Sequence, residues 1–460
     1  MPPTKALLYC AVNGIANNTN GIGRQTKTLL ATLDEHHAQL TAEVGDFTPY
    51  LAVPEPGTAT WGYDEDDLRY AQRVVQAWGG AVIGLPHDTH RTLWHPDTWQ
   101  RLSDEAARVA SQLARRHEHV LAIGVDTPFA GLAHHADENM DVDVLLALFS
   151  TTRITERPRP DPARLAWEER AIHAVNRHPR AWVADIGAFL TGHLQQHYQL
   201  DTARLRRWPS GLHLMAADLT APPRDEAEQT VRSLGIPPDR PLVAAVGRTD
   251  HTKGLDLLIE ALGPLRDEVH LVMIAVPTDD ERRKLLDTYR DRCKELRLSA
   301  TIVGHYDRAL PRALAALPAT RAMAVPSRGE TLANVVFETG LWARHSGAVV
   351  VAPSIDGFPE QITDGYNGLL YDPAVPGSLT AGLRRALDLT SNQQASMRAN
   401  ACRRVLEERD AATHLATLLA SFWRPEAPPL ATLVDHPITD ARPPRSQAPA
   451  STHHPLEAAP

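Results

Sequence analysis

Two cations stand five residues apart where an apolar run ends. Val243-Ala244-Ala245-Val246 leads into Gly247-Arg248, then Thr249-Asp250-His251-Thr252-Lys253-Gly254. Ligands of open α/β sheets bind beyond the carboxyl ends of strands, where this turn falls. An Arg fork and a Lys point charge there suit a diphosphate, although a solvated basic turn has the same composition. The stretch is not a P-loop, since GxxxxGK[ST] is absent. A second piece, Pro326-Ser327-Arg328-Gly329-Glu330-Thr331-Leu332-Ala333-Asn334-Val335-Val336-Phe337-Glu338, separates two glutamates by seven residues. A helix beginning near Leu332 puts Glu330 at its mouth and Glu338 on it, a span of about 12 Å if fully helical. Free amides at 331–333 and the helix dipole would then hold phosphate oxygens. The plainer reading makes Glu330 a helix-terminal charge and Glu338 a surface residue. A third piece, Asp356-Gly357-Phe358-Pro359-Glu360-Gln361-Ile362, reads as a glycine-rich loop and short helix. Asn367-Gly368 follows as a turn entering a strand.

In this order the three pieces resemble the C-terminal half of retaining glycosyltransferases of the GT-B fold, particularly family 4 (glycosyltransferase group 1). The resemblance covers about 241–373 strongly, and the N-terminal half more loosely through Asn20-Gly21-Ile22-Gly23-Arg24 and Trp208-Pro209-Ser210-Gly211. Asp250-His251-Thr252-Lys253-Gly254 and Met273-Ile274-Ala275-Val276-Pro277-Thr278 are similar to trehalose-phosphate synthases instead. The resemblance implies that Arg248 and Lys253 neutralise a donor diphosphate and that Glu330 binds hydroxyls of the transferred sugar. It implies that the amides of Thr331, Leu332 and Ala333 hold phosphates and that Glu338 holds the nucleotide ribose. Gly21, Gly23 and Gly247 would admit the donor closely, with Gly304 and His305 near the base. Asp126 and Ser150 are acceptor-side candidates, Ser150 standing where many relatives place a histidine. Glu330 is followed by Thr-Leu-Ala where Gly-Phe-Gly is usual, so unusual donor-sugar contacts are expected. The implied reaction keeps anomeric configuration without a covalent intermediate, and its electrostatics require no metal or other cofactor. The expected partners are a nucleotide-diphosphate sugar and a small-molecule or glycoconjugate acceptor. A cyclitol-coupling or epimerising enzyme on the same scaffold, and a non-catalytic nucleotide-sugar sensor, stay open as alternatives.

Positioning these residues requires parallel sheets. Apolar runs at 6–12, 47–53, 81–84, 119–125, 144–149, 181–184, 242–246, 270–276, 300–303, 322–325 and 348–352 alternate with helical periodicity. That is the signature of strands buried on both faces. The pattern predicts two Rossmann-like domains, 1–213 and 241–404, joined by a polar, Pro-rich linker over 214–240. A helix over 405–423 is expected to return to the first domain. Residues 424–460 hold nine prolines and are expected to be disordered.

Composition bounds the rest. The chain of 460 residues has 47 basic and 56 acidic side chains, net charge −9. This argues against nucleic acid or an anionic membrane as partner. Five of the basic residues are Lys, at 5, 27, 253, 284 and 294, so Lys253 stands out in an arginine-rich chain. Three separated cysteines and an N-terminus that reads as a buried strand fit a cytoplasmic protein. Gly21-Ile22-Gly23 lacks the third glycine of a dinucleotide fingerprint, and Asp141-Val142-Asp143 reads as structural. The histidine clusters lack metal-ligand spacing, and neither HExxH nor GxSxG occurs.

Overall fold

Ala6, Leu7, Leu8 and Cys10 are fully buried, as are Val120, Leu121, Ala122 and Ile123 beside them. Strands apolar on both faces need helices on both sides, which dictates the layered arrangement. The computed structural model describes residues 5–15, 21–57, 64–138, 141–237, 240–305 and 307–424. The expected disordered tail therefore lies outside the described residues, save Arg424.

The first sheet contains β1 (Lys5–Cys10), β2 (Thr48–Pro54), β3 (Ala81–Leu85), β4 (His119–Val125), β5 (Val142–Ala147), β6 (Ala181–Asp185) and β7 (Leu205–Arg207). All pairs are parallel, in the order β3-β2-β1-β4-β5-β6-β7. The second contains β8 (Leu242–Arg248), β9 (His270–Val276), β10 (Ala300–Val303), β11 (Thr320–Ala324), β12 (Val349–Pro353) and β13 (Leu369–Tyr371). It too is parallel, in the order β10-β9-β8-β11-β12-β13. Strand order reverses between β1 and β4 and again between β8 and β11. Those switch points open a crevice at the strand carboxyl ends.

Two connections differ from the sequence expectation. The segment 214–240 contains the Arg224–Ser233 helix, whose Ala227 and Val231 are buried in one core with Leu242 and Val272. Its acidic composition belongs to the solvent face, so a packed helix reads as a linker. The strand β7 has only three residues at a sheet edge, too few to register as an apolar run.

The chain crosses between the sheets a second time near Arg409. Leu212 N–H donates to Arg409 O at 2.8 Å and Ala411 N–H to Leu212 O at 3.1 Å. The Ala411–Trp423 helix then buries Leu415, Leu418, Leu419 and Trp423 in the core of the first sheet. No described helix is long and apolar enough to cross a membrane.

Candidate active site

Asp250 organises the turn after β8. Its carboxylate accepts Lys253 N–H at 3.1 Å, and its other oxygen lies 3.1 Å from the Arg248 guanidinium. Gly254 ends the turn with φ +62°, and a Cβ there would stand 2.1 Å from Pro326 O. Only glycine allows this turn and the 326–330 loop to approach so closely. Arg328 fastens them together: its guanidinium grips both oxygens of Asp256 at 2.8 and 2.6 Å, and its N–H donates to Thr252 O at 2.7 Å. The consequence is that Lys253 Nζ meets Glu330 Oε2 at 2.6 Å. Residues 77 apart in sequence thus form one charged pair at a strand end.

Glu330 is placed from the backbone. Its N–H donates to Asp356 Oδ2 at 3.1 Å, and its carbonyl accepts Gly357 N–H at 3.1 Å. A Cβ at Gly357 would fall 1.5 Å from Thr331 O, so the glycine is required for this contact. Beyond Glu330 the Asn334–Trp342 helix begins two residues later than expected. The amides of Thr331 and Leu332 make no hydrogen bond with another described residue. The Ala333 amide is different, and corrects the expectation of three free donors. It donates to Gln361 Oε1 at 2.9 Å while Gln361 Nε2 donates back to Ala333 O at 3.0 Å.

Glu338 is no surface residue. It is largely buried, 3.6 Å from Arg24 Nε. Burial pushes its carboxyl above the usual range, Arg24 pulls it down and Asp218 pushes it up again.

Other expectations are displaced. Gly21 and Gly23 lie not in a loop but in the first turn of the Gly21–Glu35 helix. Asn20 lies outside the described residues. Gly21 O accepts from Asn334 Nδ2 at 3.0 Å, so its bareness serves a contact between the two sheets' helices. A Cβ on Gly304 would meet Leu286 Cδ2 at 2.6 Å, which explains that glycine by packing on the Asp280–Glu295 helix. His305 is exposed, and Gly247 lies against the Lys253 side chain.

The first sheet presents its own network. Asp126, just past β4, is buried with φ +59° and its Oδ1 has no partner among the described residues. Burial raises its carboxyl while Arg164 and neighbouring amides oppose the rise. Arg164 also meets Glu168 at 2.8 Å and Glu156 at 2.8 Å, and donates to Ser150 Oγ at 3.2 Å. Ser150 is thereby held by a buried guanidinium. Glu168 further accepts from Tyr198 Oη at 2.6 Å and Thr152 N–H at 3.0 Å. Burial still lifts it to about 7. A carboxyl raised in the folded state binds its proton more tightly there, so its contribution to stability falls as pH rises from the unfolded value of roughly 4.3 towards 7. The Glu168→Gln variant should accordingly show a flatter melting-temperature profile over that window, and an unchanged slope would refute the assignment.

Sequence spacing offered no sign of the contacts across the crevice. Thr331 Oγ1 donates to Phe149 O, Thr252 Oγ1 donates to Thr155 O at 2.8 Å, and Arg157 pairs with Asp356. Glu360 accepts the N–H groups of Ala188 and Phe189, capping the Ala188–Tyr198 helix of the first sheet from the second. Among the described residues, no group of three or more His, Cys, Asp or Glu could hold a metal ion.

Residues 226–404 match the model of the family described as Glycosyl transferases group 1. This segment is similar to that family. It includes the Lys253–Glu330 pair, both helix-mouth amides and Glu338. Similarity at the level of whole sequences is partial. The D-inositol 3-phosphate glycosyltransferase of Corynebacterium glutamicum is 31% identical over 201 residues, 42% of this chain and 46% of that protein. The chain spans about half the length of the curated relatives it matches. Solved structures cover far more. Sucrose-phosphate synthase from Thermosynechococcus elongatus superposes with TM-score 0.68 at 16% identity, over 92% of this chain and 98% of that one. The Anabaena protein HepE in complex with UDP and glucose gives TM-score 0.65 at 15% identity, over 90% and 99%. The fold is GT-B.

Proposed function

We propose that this chain is a retaining glycosyltransferase that transfers a sugar from a nucleotide-diphosphate donor to a small-molecule or glycoconjugate hydroxyl. The observation that carries the proposal is the Lys253–Glu330 pair at the mouth of the Asn334–Trp342 helix, inside the family-matched segment. Lys253 and Arg248 supply positive charge where a leaving diphosphate accumulates negative charge, and the amides of Thr331 and Leu332 add donors there. Glu330 receives the sugar hydroxyls, and Glu338 the ribose. The leaving phosphate takes the acceptor proton on the face it departs from, so no protein nucleophile and no metal enters. Asp126 and Ser150 border the acceptor side, at the ends of β4 and β5. HepE is described with UDP and glucose, which makes UDP-glucose a natural first donor. The names of the corynebacterial relative and of sucrose-phosphate synthase both include a phosphorylated polyol or sugar, so phosphorylated polyols are the first acceptors to try. We place the reaction in the cytoplasm.

A thermal-shift panel of UDP, GDP, ADP and dTDP should give one clear stabilisation, about 2.7 kcal/mol at a hundredfold excess over Kd. With the matching sugar nucleotide and an acceptor, NMR should report a product of unchanged anomeric configuration, and EDTA should leave the rate unaltered. Inverted product or an EDTA-abolished rate would refute the mechanism; a panel without any stabilisation would refute the substrate class.

A further inference from the structure

The Gly21–Glu35 and Asn334–Trp342 helices meet end to end across the crevice. Asn334 and Gly21, their first residues, are hydrogen-bonded at 3.0 Å. One turn further along each helix stand Arg24 and Glu338, since residues three and four apart share a helix face. Arg24 Nε lies 3.6 Å from Glu338 Oε1, an ion pair too long for a hydrogen bond, while Arg24 Nη1 pairs with Asp218. The Glu338 carboxylate accepts no hydrogen bond from another described residue and keeps an 18% exposed side chain. One of its oxygens faces Arg24, and it is still able to accept.

We infer that Arg24 is a positioning residue for donor binding: it fixes one oxygen of Glu338 and leaves the other to accept a hydroxyl of the nucleotide ribose. This rests on the reading of the crevice as a nucleotide-sugar site. A hydroxyl donates better to a carboxylate than to a neutral carboxyl, and burial favours the neutral form. Arg24 is the cation that opposes this burial, and Asp218 is the anion that favours it. The neighbouring helices place their charges elsewhere. Arg312 of Ala309–Ala316 pairs with Glu226, and Arg404 of Ser391–Glu408 with Glu408; Arg409, just beyond, lies 4.5 Å above the Phe337 ring. Glu338 therefore depends on a cation from the opposite sheet, and ribose binding is coupled to the two helix ends being together.

Glu338 loses its charge as pH falls through its raised value, and removing Arg24 moves that loss to higher pH. The experiment compares wild type, Arg24→Met, Arg24→Lys and Glu338→Gln by calorimetric titration with UDP, GDP, ADP, dTDP and pyrophosphate, near about pH 6 and about pH 8.5. Arg24→Met should weaken the preferred nucleoside diphosphate roughly tenfold at the lower pH and less at the higher. Pyrophosphate, which has no ribose, should bind all four proteins alike. Arg24→Lys should recover most of the affinity. Should methionine at 24 prevent folding, Glu338→Gln carries the comparison, because it must remove the pH dependence that nucleotide binding shows in excess of pyrophosphate binding. Unchanged nucleotide affinity in Arg24→Met, equal loss of pyrophosphate binding, or an excess pH dependence over pyrophosphate that survives Glu338→Gln overturns the inference alone. A wild type that binds no nucleoside diphosphate overturns both it and the proposed function.

Discussion

Lys253→Met is expected to lower sugar transfer roughly 10²–10³-fold while the protein stays folded, and Glu330→Ala to do the same. Each removes half of a pair whose atoms are 2.6 Å apart, at the strand end where the departing diphosphate is proposed to develop charge. A fixed ammonium in a partly enclosed crevice costs little reorganisation during reaction, so its loss falls on kcat more than on KM. Both side chains keep some exposure, 27% for Lys253 and 17% for Glu330, and a pair of that kind contributes only about 0–1 kcal/mol to stability. Melting temperatures close to wild type should therefore accompany the lost turnover. Two variants that turn over like wild type would sink the assignment of these residues.

The largest stability effect should come from the other side of the crevice. Arg164→Met is expected to cost about 3–5 kcal/mol, lowering the melting temperature by on the order of 10 °C. Arg164 is 12% exposed and lies between Glu156 and Glu168, with Asp126 close enough to be held down by it. Without the guanidinium, Asp126 and Glu168 remain buried with no cation, and each must take up a proton or carry an unpaired charge. The cost should be larger at neutral than at acidic pH, because protonation relieves it. Adding Glu168→Met should recover part of the loss, since one uncompensated carboxyl then disappears. A melting temperature within about 2 °C of wild type would show that this network is not structural.

Much of the architecture is legible from local pattern. Buried strands such as 119–125 and 270–276 declare themselves because a parallel sheet demands apolar side chains on both faces. The helix after Lys253 is equally plain, its Leu255, Leu258, Ile259 and Leu262 being the buried face. The edge strand Leu205–Arg207 is not, because three residues, none of them buried, leave no periodic trace. The Arg224–Ser233 helix was hidden for the opposite reason: two small buried contacts, Ala227 and Val231, hold an otherwise polar segment.

The same division runs through the candidate site. Read alone, the chain specifies which residue types stand at strand ends and helix mouths: Arg248, Lys253, Glu330 and Glu338. Those are local facts of spacing, because a strand's end and a helix's first turn lie within a few residues of each other. Which of them touch is another matter. That Lys253 reaches Glu330, that Gln361 occupies the Ala333 amide, and that Glu338 answers to Arg24 all depend on chain segments 28 to 314 residues apart. No periodicity encodes such distances. They are set when two sheets, two crossovers and the helix caps between them pack, since a buried donor or carboxylate takes whatever partner packing brings within reach.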